Sequence, residues 1–372
     1  MICINLGRYE GVIIINKPIY LDNAATTPIT KPVLDAMMLY LTEQYGNPSS
    51  LYSLGRTAHK AVETARNQIA KAINAEPNQI FFTSGATESN NWVCSNFKSV
   101  LCSPYEHHSI LKRPHTTEMR IFAPLADDIF RYSADLVSHM FVNNEIGQIY
   151  DITDMAKISH KMGALFHTDA TQAFSHIPIN VKELGCDFLS LSGHKFHSPK
   201  GVGILYVKEP DKFEPMLYGG QQEVNHRSGT ENVASIVGIG KAAELYNYSL
   251  ERDKRCREIQ QKFYNAFSHF KDVYFNTVIA DSISSTLNVA FKNVESESLM
   301  LLLDMDGICV SAGSACNSAS LEPSHVLKAI GTPENYIYNS IRLSWDDTLT
   351  DEEVDYVIES IKKNVMKVRG YI

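Results

Sequence analysis

Five short apolar runs, Ile80 to Phe82, Leu136 to Val142, Ala164 to His167, Phe188 to Ser192 and Gly203 to Val207, recur along the chain with helical stretches between several of them. A strand that is apolar at nearly every position is buried on both faces, and parallel strands need crossovers that helices supply. The pattern predicts an α/β fold, a largely parallel sheet with helices on both faces. Thr30 to Tyr45 is predicted as a flanking helix, with Thr30 to cap it, Pro32 in the first turn, Val33, Leu34, Met37, Met38 and Leu41 at helical spacing, and Gly46 to end it. A second helix is predicted through Val62, Ala65, Ile69 and Ile73.

A long amphipathic helical region follows from about Ala234 to Phe270. Strand-like segments near Thr286 to Phe291 and Gly307 to Ser311 then alternate with helices ending near Val368. This predicts a second, smaller α/β domain, and 372 residues are enough for two domains that share a cleft. The expected division is a large domain over 21–250 and a small domain over 251–372, with residues 1–20 packing on the latter.

The chemistry concentrates in three stretches. Ser192-Gly193-His194-Lys195-Phe196-His197 places a lysine amine at a strand-to-loop junction, where it can form a Schiff base with an aldehyde. Phe166-His167-Thr168-Asp169 ends an apolar run in a carboxylate, the partner a protonated pyridine nitrogen needs. Together they point to pyridoxal 5'-phosphate anchored on Lys195. In an α/β fold both residues fall at the carboxyl ends of parallel strands, where ligands bind. The turn Thr83-Ser84-Gly85-Ala86-Thr87-Glu88 reads alone as a capping box, but beside these motifs it reads as a phosphate cradle at a helix N-terminus.

The third stretch, Ser311-Ala312-Gly313-Ser314-Ala315-Cys316-Asn317-Ser318, carries one thiol among small residues, as a travelling thiol requires. The seven cysteines form an odd set without a C-x-x-C pair, which fits neither a disulfide framework nor a zinc knuckle. Cys309 and Cys316 with His325 match no structural zinc pattern, so no metal is expected. A net charge of −8 without a basic run argues against direct nucleic-acid binding. Runs such as Val12 to Ile15 and Leu299 to Leu303 fall far short of the ~18 residues of a membrane span, and the start lacks signal-peptide features. The expectation is a cytoplasmic protein with no membrane contact.

These residues resemble a known family, the group I cysteine desulfurases, pyridoxal phosphate enzymes of aminotransferase class V with fold type I. The resemblance runs from Tyr20 onward through Tyr20-Leu21-Asp22-Asn23-Ala24-Ala25-Thr26-Thr27-Pro28, Gly46-Asn47-Pro48, Thr83 to Asn90, Glu106-His107 and Val142-Asn143-Asn144-Glu145. It continues through the aspartate and lysine motifs, Arg227-Ser228-Gly229-Thr230, the cysteine loop and Ile341-Arg342-Leu343-Ser344. It implies a large domain with a mostly parallel seven-stranded sheet plus a smaller α/β domain. Lys195 would hold the cofactor covalently, Asp169 its pyridine nitrogen and Gln172 its ring hydroxyl, with His107 stacked on the ring and a candidate proton carrier. Ala86, Thr87, Ser192 and His194 would bind the phosphate. Thr230 would reach the phosphate of a neighbouring subunit, which implies a homodimer.

By the same resemblance, Asn144 and Arg342 would clamp the carboxylate of L-cysteine, and Cys316 would be the persulfide-forming nucleophile. It would pass sulfur to an acceptor protein such as an iron–sulfur scaffold or a thiolation enzyme. A selenocysteine lyase or related β-eliminating enzyme is the nearest alternative activity. A cofactor-binding scaffold with little turnover is the alternative from another class, and the presence of both Lys195 and Cys316 argues against it. Tyr52 and Val224 depart from the family pattern, where relatives often have histidine and a basic residue.

Overall fold

Twelve strands in three sheets organise the residues that the structure, a computed structural model, describes, namely 18–112, 118–121, 133–312 and 323–370. The strands are β1 (Ile19–Tyr20), β2 (Ile80–Thr83), β3 (Ser99–Cys102), β4 (Glu118–Ile121), β5 (Leu136–Ser138), β6 (Leu165–Asp169), β7 (Phe188–Ser192), β8 (Gly203–Val207), β9 (Val273–Phe275), β10 (Thr286–Phe291), β11 (Ile308–Cys309) and β12 (Ser340–Ser344). The largest sheet has seven strands in the order β2-β8-β7-β6-β5-β3-β4. The five from β7 to β4 run parallel, while β8 is antiparallel to both its neighbours.

Its central strands are buried along their whole length, as their continuous apolar character requires. On one face Val62, Ala65, Ile69 and Ile73 of the helix Ser53–Ile73 pack with Ile239 and Ala242 against Phe82, Leu191 and Ile204. On the other, Trp92 and Val93 cover Phe81, Leu205 and Phe188. The first predicted helix forms over Lys31–Thr42.

One expectation is corrected and a second refined. The run Leu136 to Val142 forms a strand only to Ser138, because the Met140 N–H leaves the ladder and donates to Glu106 Oε1 at 2.7 Å. The region Ala234 to Phe270 is two helices, Val233–Leu245 and Leu250–Ser268. Between them Asn247 diverts the backbone, its Oδ1 accepting from the Tyr248 N–H and its Nδ2 donating to Ala72 O.

The antiparallel sheet β12-β10-β9 builds a second core. Leu287, Val289, Ile341 and Leu343 meet Phe263 and Phe267 of one helix and Val357 and Ile361 of the last, Asp351–Val368. Thr350 and Glu353 close a reciprocal capping box at the start of that last helix. Strand β1 pairs in parallel with β11, so Ile19 and Leu21 are buried in this second core. Among the described residues no helix is long and apolar enough to cross a membrane.

Candidate active site

Parallel pairing sets Asp169 at the end of β6 directly opposite Ser190 in β7, and two residues later β7 ends at Ser192. A tight 3₁₀ turn, Gly193–Lys195, follows at once, so the carboxylate and the amine reach one cavity of about 410 Å³ at the carboxyl edge of the sheet. Lys195 Nζ donates to Ala24 O at 2.6 Å and to Ala25 O at 2.8 Å, and Gln172 Nε2 donates to the same Ala24 O at 2.9 Å. The segment Asp22 to Ala25 thus fixes the lysine and the glutamine together.

Asp169 is buried and its carboxylate is held on both oxygens. Oδ2 accepts from Asn90 Nδ2 at 2.7 Å, and Oδ1 accepts from the Thr171 N–H at 3.0 Å. Asn90 had no assigned role in the sequence reading, although it lies in a motif that reading singled out. Four residues after Ala86 at the start of the helix Ala86–Ser95, it shares the face that Ala86 presents, and that periodicity was the available signal.

The same helix begins at the turn expected to cradle phosphate. Gly85 has φ +154° and lies against β8 so closely that a Cβ on Gly203 would come within 2.5 Å of the Gly85 Cα. Two small residues therefore let the turn sit flush on the strand, and the helix begins with its first N–H groups at the cavity. Ala86, Thr87, Ser192 and His194 line that end, joined by Ser84 and Lys200. Burial pushes the His194 imidazole down to about 4, with the Lys195 and Lys200 charges acting in the same direction. Glu88, at the rim, accepts from Arg227 Nε at 2.9 Å. Burial alone would raise its carboxyl, and the bonds from Arg227 and Ser84 bring it below its ordinary value.

Across the cavity, Arg342 of β12 is 1% exposed. Its Nη1 donates to Asn144 O at 2.6 Å and its Nη2 to Asp22 Oδ1 at 2.7 Å, while Nε has no hydrogen-bond partner among the described residues. A buried guanidinium with an unmet donor suits a bound carboxylate. Asn144 lines the same cavity, as does His107. Thr230 does not: it is exposed and lines a neighbouring cavity that shares Ser84 and Gly201 with the first.

Cys316 lies outside the described residues. The described ends of its segment abut the cavity wall. Ser311 exchanges backbone hydrogen bonds with Arg342, and Ser324 Oγ donates to Glu145 Oε2 at 2.6 Å.

Beneath the site, Glu106 is fully buried. Its Oε1 accepts from Ser103 Oγ and from the Met140 N–H, both at 2.7 Å, and Oε2 has no partner among the described residues. Burial raises its carboxyl to about 8, with Asp169 adding to the shift. This lies above the value of an unfolded glutamate, about 4.3. The folded chain therefore keeps a proton that the unfolded chain has lost, and the stability this confers is complete below the unfolded value and lost as pH rises through about 8. Glu106→Gln is expected to flatten that loss. The check is the urea midpoint at about pH 6 and about pH 9, whose difference should shrink in the variant.

The sequence pattern of the family described as aminotransferase class-V matches residues 19–357. The chain belongs to that family. Within the aminotransferase class V family it is similar to the cysteine desulfurase IscS of Methanosarcina thermophila, 42% identical over 97% of this chain and 95% of the relative. It is similar to the cysteine desulfurase IscS of Dictyoglomus turgidum at 42% identity over 95% of this chain and 96% of the relative. Among solved structures, a NifS-like protein shares the fold with a TM-score of 0.86 at 31% identity, covering 95% of this chain and 100% of the other. A NifS-like protein from Rickettsia africae gives a TM-score of 0.85 at 31% identity over 93% and 99% of the two chains. The expected α/β fold, with its mostly parallel seven-stranded sheet, is the fold of these neighbours.

Proposed function

We propose that this chain is a pyridoxal-phosphate-dependent cysteine desulfurase that converts L-cysteine to L-alanine and receives the sulfur on Cys316. The observation that carries this reading is the convergence of Lys195, a doubly held Asp169 carboxylate, a helix N-terminus and the buried Arg342 on one cavity. The similarity to proteins named cysteine desulfurase supports it.

The residues present fit the cofactor. Lys195 would hold it covalently, Asp169 would accept from its ring N–H, Gln172 would face its ring hydroxyl, His107 would pack on the ring, and Ala86, Thr87, Ser192 and His194 would take its phosphate. When bound, pyridoxal phosphate supplies an electron sink for charge developing at the substrate Cα. Arg342 and Asn144 orient the substrate carboxylate. Lys195 Nζ moves the α-proton, and the Cys316 thiol attacks the substrate sulfur. The bond from sulfur to the substrate Cβ breaks and a sulfur–sulfur bond forms, so cysteine plus thiol become alanine plus persulfide with no outside oxidant or reductant. The persulfide then passes to an acceptor protein.

We further read the protein as a two-fold homodimer in which Thr230 of each subunit completes the phosphate pocket of the other, since Thr230 is exposed beside a cavity adjoining that pocket. The division into domains 21–250 and 251–372 stands on the two separate hydrophobic cores, and a cytoplasmic setting is proposed with it.

Stoichiometric alanine release from L-cysteine tests the activity. Pyruvate and ammonia in place of alanine would overturn it in favour of β-elimination. Arg342→Ala is expected to raise KM for cysteine about 10- to 100-fold, the worth of one charge-assisted pair present in ground and transition states alike. Arg342→Lys should recover only part of this, since an ammonium lacks the planar fork. Steady-state kinetics check both, and an unchanged KM would remove Arg342 from substrate binding.

A further inference from the structure

His107 opens the short helix His108–Leu111, and its own Nδ1 serves as the cap, accepting from the Ser109 N–H at 3.2 Å. A backbone amide can only donate, so Nδ1 carries a lone pair and the ring proton sits on Nε2. Ser109 Oγ lies 2.8 Å from the same nitrogen. The direction of that contact is set from further in. Asn90 Nδ2 has two hydrogens, one directed at Asp169 Oδ2 (2.7 Å) and the other at Ser109 Oγ (2.9 Å). With Ser109 Oγ accepting from Asn90, its own hydrogen goes to Nδ1. A directional chain therefore leads from the amide that steadies Asp169 to the imidazole over the same cavity.

We propose that Ser109 and Asn90 are positioning residues that hold His107 as the neutral tautomer protonated on Nε2, so that the ring meets the cavity as a fixed hydrogen-bond donor. Two donors already point at Nδ1, so a second proton there requires the ring to turn away from Ser109. The α-proton shuttle then belongs to Lys195 alone, which narrows the proton-carrier role expected of His107. The charges around the ring agree. Burial disfavours the imidazolium, Asp169 on β6 favours it, and Lys195 and His325 oppose it, with His108 and Glu106 the adjoining titratable groups. The catalytic meaning of this arrangement rests on the proposed activity; the tautomer itself does not.

The test is ¹⁵N NMR of cofactor-loaded protein labelled in histidine, with His107 assigned by its loss in His107→Gln. Nδ1 should resonate as an unprotonated, pyridine-type nitrogen and Nε2 as a protonated one, and this pattern should persist below pH ~6.5, where an unperturbed imidazole is half protonated. Ser109→Ala removes a bond made only to the neutral ring, so the titration midpoint should rise by about one pH unit, and Ser109→Thr should restore it. Asn90→Ala should move it the same way by releasing the hydroxyl. A proton on Nδ1 in the wild type, or an unmoved or lowered midpoint in Ser109→Ala, would overturn the proposal. Failure of alanine release would instead sink the desulfurase reading and leave the tautomer standing.

Discussion

Lys195→Ala is expected to abolish covalent capture of the cofactor and to lower turnover by at least about a thousandfold, within the range set by losing a positioned acid–base group together with a covalent anchor. The fold should survive. The lysine is partly buried, and of the two carbonyls it donates to, Ala24 O also accepts from Gln172 Nε2. Wild-type protein treated with pyridoxal phosphate and borohydride should carry the fixed cofactor on the peptide containing Lys195, and the variant should carry none. Lys200 lines the same cavity and is the natural competitor. A fixed adduct on Lys200 in the wild type would move the anchor and reassign the phosphate end of the site. Retention of the adduct in Lys195→Ala would do the same.

Much of the site was legible because its residues follow strand ends directly. Asp169 and Lys195 are placed by β6 and β7, whose continuous apolar runs are unmistakable, and the chemistry falls within three residues of each strand terminus. Strands Phe188–Ser192, Gly203–Val207 and Thr286–Phe291 have the bounds their sequences predict. Less legible was whatever depends on contacts between distant segments. Asp22 pairs with Arg342 across 320 positions, and Asn90 reaches Ser109 and Asp169 from a helix whose start alone carries a sequence signal. Periodicity says which face a residue takes, and only the packed fold says what awaits it there. The break within the helical region Ala234 to Phe270 was hidden for a related reason, because Asn247 interrupts it through its own side chain rather than through a glycine or proline.

Cys316→Ser should separate binding from sulfur transfer. Lys195, Asp169, Gln172, Asn144 and Arg342, the residues proposed to bind cofactor and substrate, line the cavity from segments other than the one that carries Cys316. Addition of cysteine should therefore still shift the cofactor absorbance in the variant. Alanine production should nevertheless fall by at least about a hundredfold, because a serine hydroxyl is neither ionised near neutral pH nor polarizable enough to accept sulfur. The other thiols among the described residues are poor substitutes. Cys94, Cys102, Cys186 and Cys256 are buried, and burial raises the Cys186 and Cys256 thiols to about 12. Cys309 is the nearest in sequence and only partly buried, but burial together with the Asp304 and Asp22 charges raises its thiol too, which suppresses the thiolate that attack requires. Mass spectrometry after incubation with L-cysteine should find one added sulfur, 32 Da or about that mass, on the Cys316 peptide of the wild type and nowhere in the variant. A persulfide on Cys309, or full alanine release by Cys316→Ser, would transfer the nucleophile's role away from Cys316 while leaving the Lys195 result untouched.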